Sequence, residues 1–489
     1  MTTKVQALTL LTLSAALMVA PAQTNQSTQA AAGAPPAPAL SATEQTIYDI
    51  KNPAPWFSWG ADFRVRNEYF NDLLTLNPNA NLHQQDYFRF RGRLWLSVTP
   101  VEDLSLNARI AAEPREWMAP AGYTPYKGNS GLNWREGIID GLNVVWRNVA
   151  ALPLTIKVGR QDLFLGDGWL LGDGTPIDGS WTYFLDSARF TYELKEQHTT
   201  IDAIGIIQDA HDDAWLPTIN PNHLLVTEQN EKGAILQVAN SSIKAANLTG
   251  YFIYKNDSQV AANGDNADIY TLGGRVNGPL SDHWKYWVEG AYQFGRKQDP
   301  SLKHSDAGAA AANYYHDLNA YGLNSKLSYL FKDPLNNQLA LSFEMLSGDN
   351  PHTGNDEMFD VLWGRWPHWS EIGLYGYAAE TRVGQEGNLI RIGPTWTFNP
   401  LKDLEVSTSY YALFAMSDVP TRQAAPPQVP SPLFSNQDNF RGNFVSGILK
   451  YKFGPHMNGH LWSEFLLPGS YYSYNTVIPF LRAEVMFTF

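Results

Sequence analysis

Arginine recurs at every second position in two neighbouring segments, Arg64 and Arg66 in the first and Arg89, Arg91 and Arg93 in the second. Arg109 follows in a third, and Lys157 and Arg189 lie further along. A period of two places side chains on one face of a strand. Paired strands run about 4.8 Å apart with same-face residues about 6.6 Å apart, so these cations would form a two-dimensional patch. Such a patch concentrates anions and orients carboxylates by bidentate pairing. The alternative is that the cations pair across an enclosed space with Asp62, Glu68, Glu113, Glu193, Glu289 and Glu484 and simply hold its shape. Both readings coexist where opposed charges flank a constriction.

The elements that would carry this face are strands. Residues 57–70 alternate Trp59, Ala61, Phe63, Val65 and Tyr69 with Asp62, Arg64, Arg66 and Glu68. Residues 86–99 set Phe88, Phe90, Leu94, Leu96 and Val98 against Arg89, Arg91, Arg93 and Ser97. Leu104, Leu106, Ala108 and Ile110 continue the pattern after a short turn. Further strands are expected near 138–147, 154–163, 187–195, 199–207, 232–240, 246–255, 269–278, 284–297, 318–332, 337–347, 386–398, 404–414, 443–453, 457–466 and 479–489, eighteen in all. Their connections alternate between tight turns and long loops, the rule for a barrel with short periplasmic turns and long extracellular loops. Residues 371–380 also resemble a strand, but a strand there would break the alternation, so they are assigned to a loop.

The last segment, Phe480 to Phe489, is itself a two-faced strand ending on an aromatic. Chain termini usually fray. A closed barrel, however, needs a complete last strand to pair with the first and remove the sheet edge. A soluble sandwich or propeller also alternates, yet here one face carries Phe, Trp, Leu and Val while the other is too charged for a dry core. No repeat of propeller-blade length is visible. The expected fold is therefore all-β, a single 18-stranded antiparallel transmembrane barrel over residues 56–489, its charged face lining a watery channel.

At the other end, Lys4 precedes an apolar run from Ala7 to Ala20, and Ala20-Pro21-Ala22 offers a cleavage site, so residues 1–22 read as a signal peptide. Residues 23–55, rich in Ala, Pro, Gln, Ser and Thr, read as a disordered periplasmic lead-in. No other stretch is apolar for long enough to span as a helix. The chain has no cysteine, which excludes a disulfide framework and a lipidated cysteine. A net charge of −13 argues against nucleic acid as a partner, and the 13% aromatic content suits girdles at two membrane interfaces. The location implied is the outer membrane of a Gram-negative-type bacterium. The implied partners are its lipid, polar or anionic small molecules or saccharides, and the barrel-assembly machinery acting through the strand that ends at Phe489.

Several segments resemble the alginate-export family. Lys157-Val158-Gly159-Arg160-Gln161-Asp162-Leu163, followed by residues 166–172, is similar to that family's Gly-Arg-Gln strand and Gly-Asp loop. Residues 358–363 and 374–377 resemble its long extracellular loop, Asn388–Pro394 and Leu401–Tyr410 the strands after it, and residues 461–472 its penultimate strand with a Pro-Gly loop. The resemblance implies an eighteen-stranded outer-membrane channel. In the family type, an arginine-lined lumen exports an acidic polysaccharide.

Other features carry less. Trp95 and Trp287 have lumen parity, where they would line the pore or stack sugar rings. Trp59, Trp146 and Trp396 have lipid parity and read as girdle. The Gly- and Asp-rich loop 164–186 reads as flexible and extracellular, with inward folding or calcium binding through its Asp residues as alternatives. No nucleophile elbow or paired His motif suggests catalysis, and His460 reads as pore-lining beside Trp462 and Glu464. The reading that results is a passive, non-enzymatic channel without cofactor or metal, for polar anionic solutes or saccharides, with acidic-polysaccharide export as its narrower form. A barrel hydrolase or an occluded structural barrel are the alternatives.

Overall fold

The computed structural model describes residues 41–72, 76, 83–121, 137–172, 185–216, 218–219, 223–261, 264–298, 315–350, 352–365, 368–374, 387–417, 434–435 and 438–489. Eighteen antiparallel strands form one closed barrel. They are β1 (Phe57–Asn71), β2 (Gln84–Val101), β3 (Leu104–Ala112, resuming as Arg115–Ala119), β4 (Gly137–Trp146), β5 (Leu154–Arg160) and β6 (Asp186–Leu194). β7 (Thr199–Gln208), β8 (Gln229–Ile243), β9 (Ala246–Gln259), β10 (Asn266–Pro279), β11 (Trp284–Gln298) and β12 (His316–Leu330) continue the wall. β13 (Gln338–Leu346), β14 (Leu389–Leu401), β15 (Leu404–Phe414), β16 (Phe440–Gly454), β17 (Met457–Pro468) and β18 (Ile478–Thr488) complete it. Each pairs with its sequence neighbours. β18 then pairs with β1 from Asp62↔Thr488 to Phe70↔Phe480, and the Ala61 and Phe489 main chains exchange hydrogen bonds of 3.3 and 2.8 Å. Every expected strand is present, although several begin or end up to four residues away from the expected bounds and β3 resumes at Arg115–Ala119, within the expected loop.

Period two decides which side faces lipid. Phe63, Leu94, Leu236, Leu272, Leu341 and Leu461 are exposed, while Arg64, Arg91, Gln237, Thr271, Ser342 and Glu464 on the alternate positions are buried. A buried polar face with an exposed apolar face is the inverse of a soluble sheet and belongs in a bilayer. β3 is interrupted at Glu113-Pro114, because Pro114 has no N–H to offer the ladder. Its carbonyl still accepts from Phe90, at 2.9 Å, and Arg115–Ala119 resumes pairing with β2.

Three expectations require correction. Residues 42–51, within the span expected to be disordered, form a helix, α1 (Ala42–Lys51), nucleated by a reciprocal capping box: Glu44 N donates to Ser41 Oγ and Ser41 N to Glu44 Oε2. Loop 164–186 is not simply extracellular. Its described part, up to Gly172, folds into the barrel, where Leu163, Trp169, Leu170 and Leu171 are buried. The polar face is also not uniformly wet, since many of its charges are buried in ion pairs. Residues 371–374 form a single helical turn, α2 (Glu371–Leu374), consistent with assigning 371–380 to a loop; residues 375–380 lie outside the described residues, as does the 1–22 segment.

Candidate functional site: the charged barrel interior

The arginine face is brought together by β18, β1, β2 and β3. Arg64 donates to Glu113 at 2.9 Å and lies 3.6 Å from Glu484, while Arg66 lies 2.5 Å from Glu484 and 3.4 Å from Glu68. Arg89 bridges Glu68 and Glu113 at 2.9 and 2.8 Å. Arg93 donates to Asp62 at 2.8 Å, and Arg91 reaches the same carboxylate at 3.7 Å. Arg482, which the sequence reading missed, pairs with both Glu68 and Glu371. Arg64, Arg66 and Arg91 are at most 2% exposed. Desolvation on this scale is tolerated because each charge has counter-charges and hydrogen bonds around it. Here the guanidiniums hold neighbouring strands together rather than reaching across the lumen.

Further round the wall the charges are more open. Arg109 grips Asp162 with two nitrogens, at 2.7 and 2.8 Å, and donates to Asp140 at 2.9 Å. Arg160 pairs with Asp186 at 3.0 Å. Arg189 pairs with Asp202 at 2.8 Å and its side chain is 29% exposed. Lys157 stands directly opposite Arg189 across the β5–β6 pair and makes no ion pair among the described residues. Asp162 is close enough to act favourably on its charge, and Arg109 and Arg147 act against it. Like charges facing each other on a sheet are unfavourable unless water or an anion lies between them. Glu289 lies 3.7 Å from Arg275 on β10, whereas Glu193 sits exposed at the periplasmic end of β6 with no ion pair among the described residues.

Two loops occupy the lumen. Residues 161–172, from the β5–β6 connection, cross to the far wall: Trp169 Nε1 donates to Glu344 on β13 at 3.0 Å, and Asn324 on β12 donates to Asp167 at 3.3 Å. The β13–β14 connection meets them there. Its Trp363 N donates to the Leu170 carbonyl at 3.1 Å, Gly172 N donates to the Trp363 carbonyl at 3.2 Å, and Phe359 stacks on Trp169 with centroids 5.5 Å apart.

The second loop is fixed to β8–β11 by a buried charge cluster. Lys297 donates to Asp360 at 3.1 Å and lies 3.3 Å from Asp265. Lys255 lies 3.1 Å from Asp257, 3.3 Å from Glu231 and 3.9 Å from Asp360, and Arg365 pairs with Glu231. Gln293 bonds both main-chain atoms of Asp360, at 2.7 and 2.8 Å. The two lysines hold the Asp360 carboxyl well below its ordinary range, whereas burial and the nearby Asp349 push Asp356 up to about 7. At the other end of the loop, the Glu464 carboxylate on β17 accepts from Glu371 N and Ile372 N, both at 2.9 Å, and from Ser370 Oγ at 3.1 Å.

Trp95 and Trp287 are half-buried on the inner face, as their parity implied. Trp95 lies over Gly60, where a Cβ would meet the ring at 2.6 Å, and Trp287 packs under Arg275, 5.1 Å from its ring centroid. His460 lies 3.6 Å from Glu484, with its ring edge-on to Trp462. Trp146 and Trp396 are exposed on the outer wall. Among the described residues no group of three or more His, Asp and Glu side chains is placed to hold a metal ion. Asp173, in the Gly- and Asp-rich loop, lies outside the described residues.

A closed antiparallel barrel of this size, apolar outside and charged within, with extracellular loops turned into its lumen, defines an outer-membrane channel protein. Residues 217–441, a little under half of the chain, match the family model described as alginate export, the same family that the sequence segments resemble. The stretches at 358–363, 374–377, 388–394 and 401–410 fall inside the match, while those at 157–172 and 461–472 fall outside it. No curated protein matches in sequence. Among solved structures, the outer membrane protein opdK from Pseudomonas aeruginosa aligns over 88% of this chain and 98% of its own, at 11% identity and a TM-score of 0.54. OccAB1 of Acinetobacter baumannii aligns over 88% and 96%, at 10% identity and a TM-score of 0.52. At such identities the likeness is one of fold.

Proposed function

We propose that this protein is a passive, non-catalytic channel for small polar anions, including acidic sugars and short acidic saccharides. The observation that carries this reading is the cationic surface at Lys157, which faces Arg189 with Arg109 and Arg147 near by and makes no ion pair among the described residues, the one carboxylate acting on it, Asp162, being gripped by Arg109. A carboxylate entering there replaces a repulsion with two attractions. The tightly paired arginines on β1 and β2 support the wall beside this surface and contribute to the field rather than binding solute directly. Two loops packed inside the lumen favour a compact solute over a continuous polymer chain, so export of an acidic polysaccharide is the less supported form. Delivery through a cleaved signal peptide, and insertion by the assembly machinery through the strand ending at Phe489, belong to the same proposal.

The test is the reversal potential of the purified protein in planar bilayers under a salt gradient, with oligo-uronates added as blockers. Anion-selective steps that oligo-uronates block are expected, and Lys157→Glu should shift the reversal potential toward cation selectivity. A wild-type channel with cation selectivity, or one whose selectivity Lys157→Glu leaves unchanged, overturns the reading.

A further inference from the structure

Helix α1 lies outside the barrel, at its periplasmic rim. The indole of Trp59, whose position on β1 faces outward, donates to the Ile50 carbonyl at 2.8 Å and packs on Phe489 with centroids 5.2 Å apart. The capping carboxylate of Glu44 lies within electrostatic reach of His456, in the β16–β17 turn. The helix therefore runs along the rim from β1, past the end of β18, to the next turn. The wall beneath it carries the outward aromatics Tyr451, Phe453 and Phe487, all exposed. They form the lower aromatic girdle of the barrel.

The helix itself touches the barrel with little of its surface. Ile47 points inward and is half-buried, yet Ile50 on one flank is 47% exposed and Tyr48 on the other is 55% exposed. At 100° per residue Gln45 and Asp49 fall on the side away from the wall. A short helix that held its place through protein contacts alone would turn its isoleucines fully toward the wall. This one instead presents Ile50 and Tyr48 to either side, at the height where Trp59 and Phe489 meet the bilayer.

We infer that α1 is an in-plane membrane anchor, seated on the phospholipids of the periplasmic leaflet as a continuation of the girdle. Continuity with the lipid-facing belt determines the occupant, because the surface on both sides of the helix is already bilayer. Charge determines the lipid class. Glu44 and Asp49 outweigh Lys51, so the helix has no basic face for anionic headgroups and suits a zwitterionic leaflet. The anchor would fix the approach of the preceding chain to the seam where β18 closes on β1.

The absence of cysteine makes the test clean. Single substitutions Tyr48→Cys, Ile50→Cys and Gln45→Cys in the full chain are labelled with an environment-sensitive fluorophore. The proteins are then reconstituted in phosphatidylethanolamine and phosphatidylcholine vesicles, with and without lipids spin-labelled near the headgroup. Labels at 48 and 50 should be quenched by the spin-labelled lipid several-fold more than the label at 45, which should instead be quenched by aqueous iodide. Trp59→Phe, which removes the indole donor, should reduce that contrast while the barrel keeps its heat-modifiable mobility on gels. Iodide access at 48 and 50 equal to that at 45, with no lipid quenching, would overturn the inference. So would lipid quenching that requires anionic lipid.

Discussion

Asp360 is the carboxylate on which the inward position of the β13–β14 loop most depends, and Asp360→Ala should release that loop. The substitution removes the Lys297 hydrogen bond at 3.1 Å, the weaker attraction to Lys255 at 3.9 Å and the acceptor of Leu362 N at 2.7 Å. Breaking a buried pair by deleting one partner costs about 3–5 kcal/mol. The lower end applies because Lys297 keeps Asp265 and Lys255 keeps Asp257 and Glu231. A loss of about 3 kcal/mol shifts the balance between inserted and released loop by roughly a hundredfold. The barrel itself should persist, since its strand ladder closes without the loop. Two assays read the shift. Single-channel recordings should show larger or more frequent open steps, and limited trypsin treatment should cleave after Arg365, whose side chain is 3% exposed in the inserted loop. Asp360→Asn, which retains an acceptor for Leu362, should fall between wild type and alanine. Conductance and trypsin resistance both unchanged in Asp360→Ala would show that the charge cluster does not hold the loop.

The remaining predictions concern the same interior. Gly322→Val places a side chain where a Cβ already lies 2.9 Å from Phe359 and 3.0 Å from Trp169, so it should loosen both inward loops by about 1–3 kcal/mol, read as increased trypsin cleavage of the folded barrel. Because Asp356 holds its proton up to about pH 7 in the inserted loop and only to its ordinary value near 3.8 when released, insertion is favoured as pH falls through that window and weakened as pH rises through it. Channel opening should therefore increase from pH 5 to pH 7.5, and Asp356→Asn should flatten the part of the profile that Asp356 contributes. A profile identical in wild type and variant would assign the pH response elsewhere.

The barrel was legible because its signal is repeated and local. Alternation in eighteen segments fixes which residues face lipid, and a one-residue slip anywhere would turn a charged face outward. The interior was less legible because burial there is set by loops. Gly166, Asp167 and Gly168 read as flexible chain, yet Trp169-Leu170-Leu171 beside them and Met358-Phe359 with Val361-Leu362-Trp363 in the second loop are runs too apolar for water. That was the available clue, and the two runs are buried against each other. The arginines were placed on the correct face, but their depth of burial depends on side-chain partners such as Arg482 and Glu371 that strand periodicity cannot pair. The Ser41 to Glu44 capping box was also present in the sequence, inside a composition that otherwise suggested disorder.

The closure of β18 on β1 has a consequence for assembly. Arg66 and Glu484, in direct contact at the seam, are 418 positions apart in the chain, and the Ala61 and Phe489 main chains bond across a similar span. Contacts of such high order form late, after nearly all of the intervening strands are in place. Until then the sheet has two open edges, each a template for wrong pairing. The seam therefore acts as a completion check: a barrel lacking even part of its last strand would strip Glu68 of Arg482 and Arg66 of Glu484 while leaving the edge of β1 unpaired, and the defect would be exposed to lipid along its whole length.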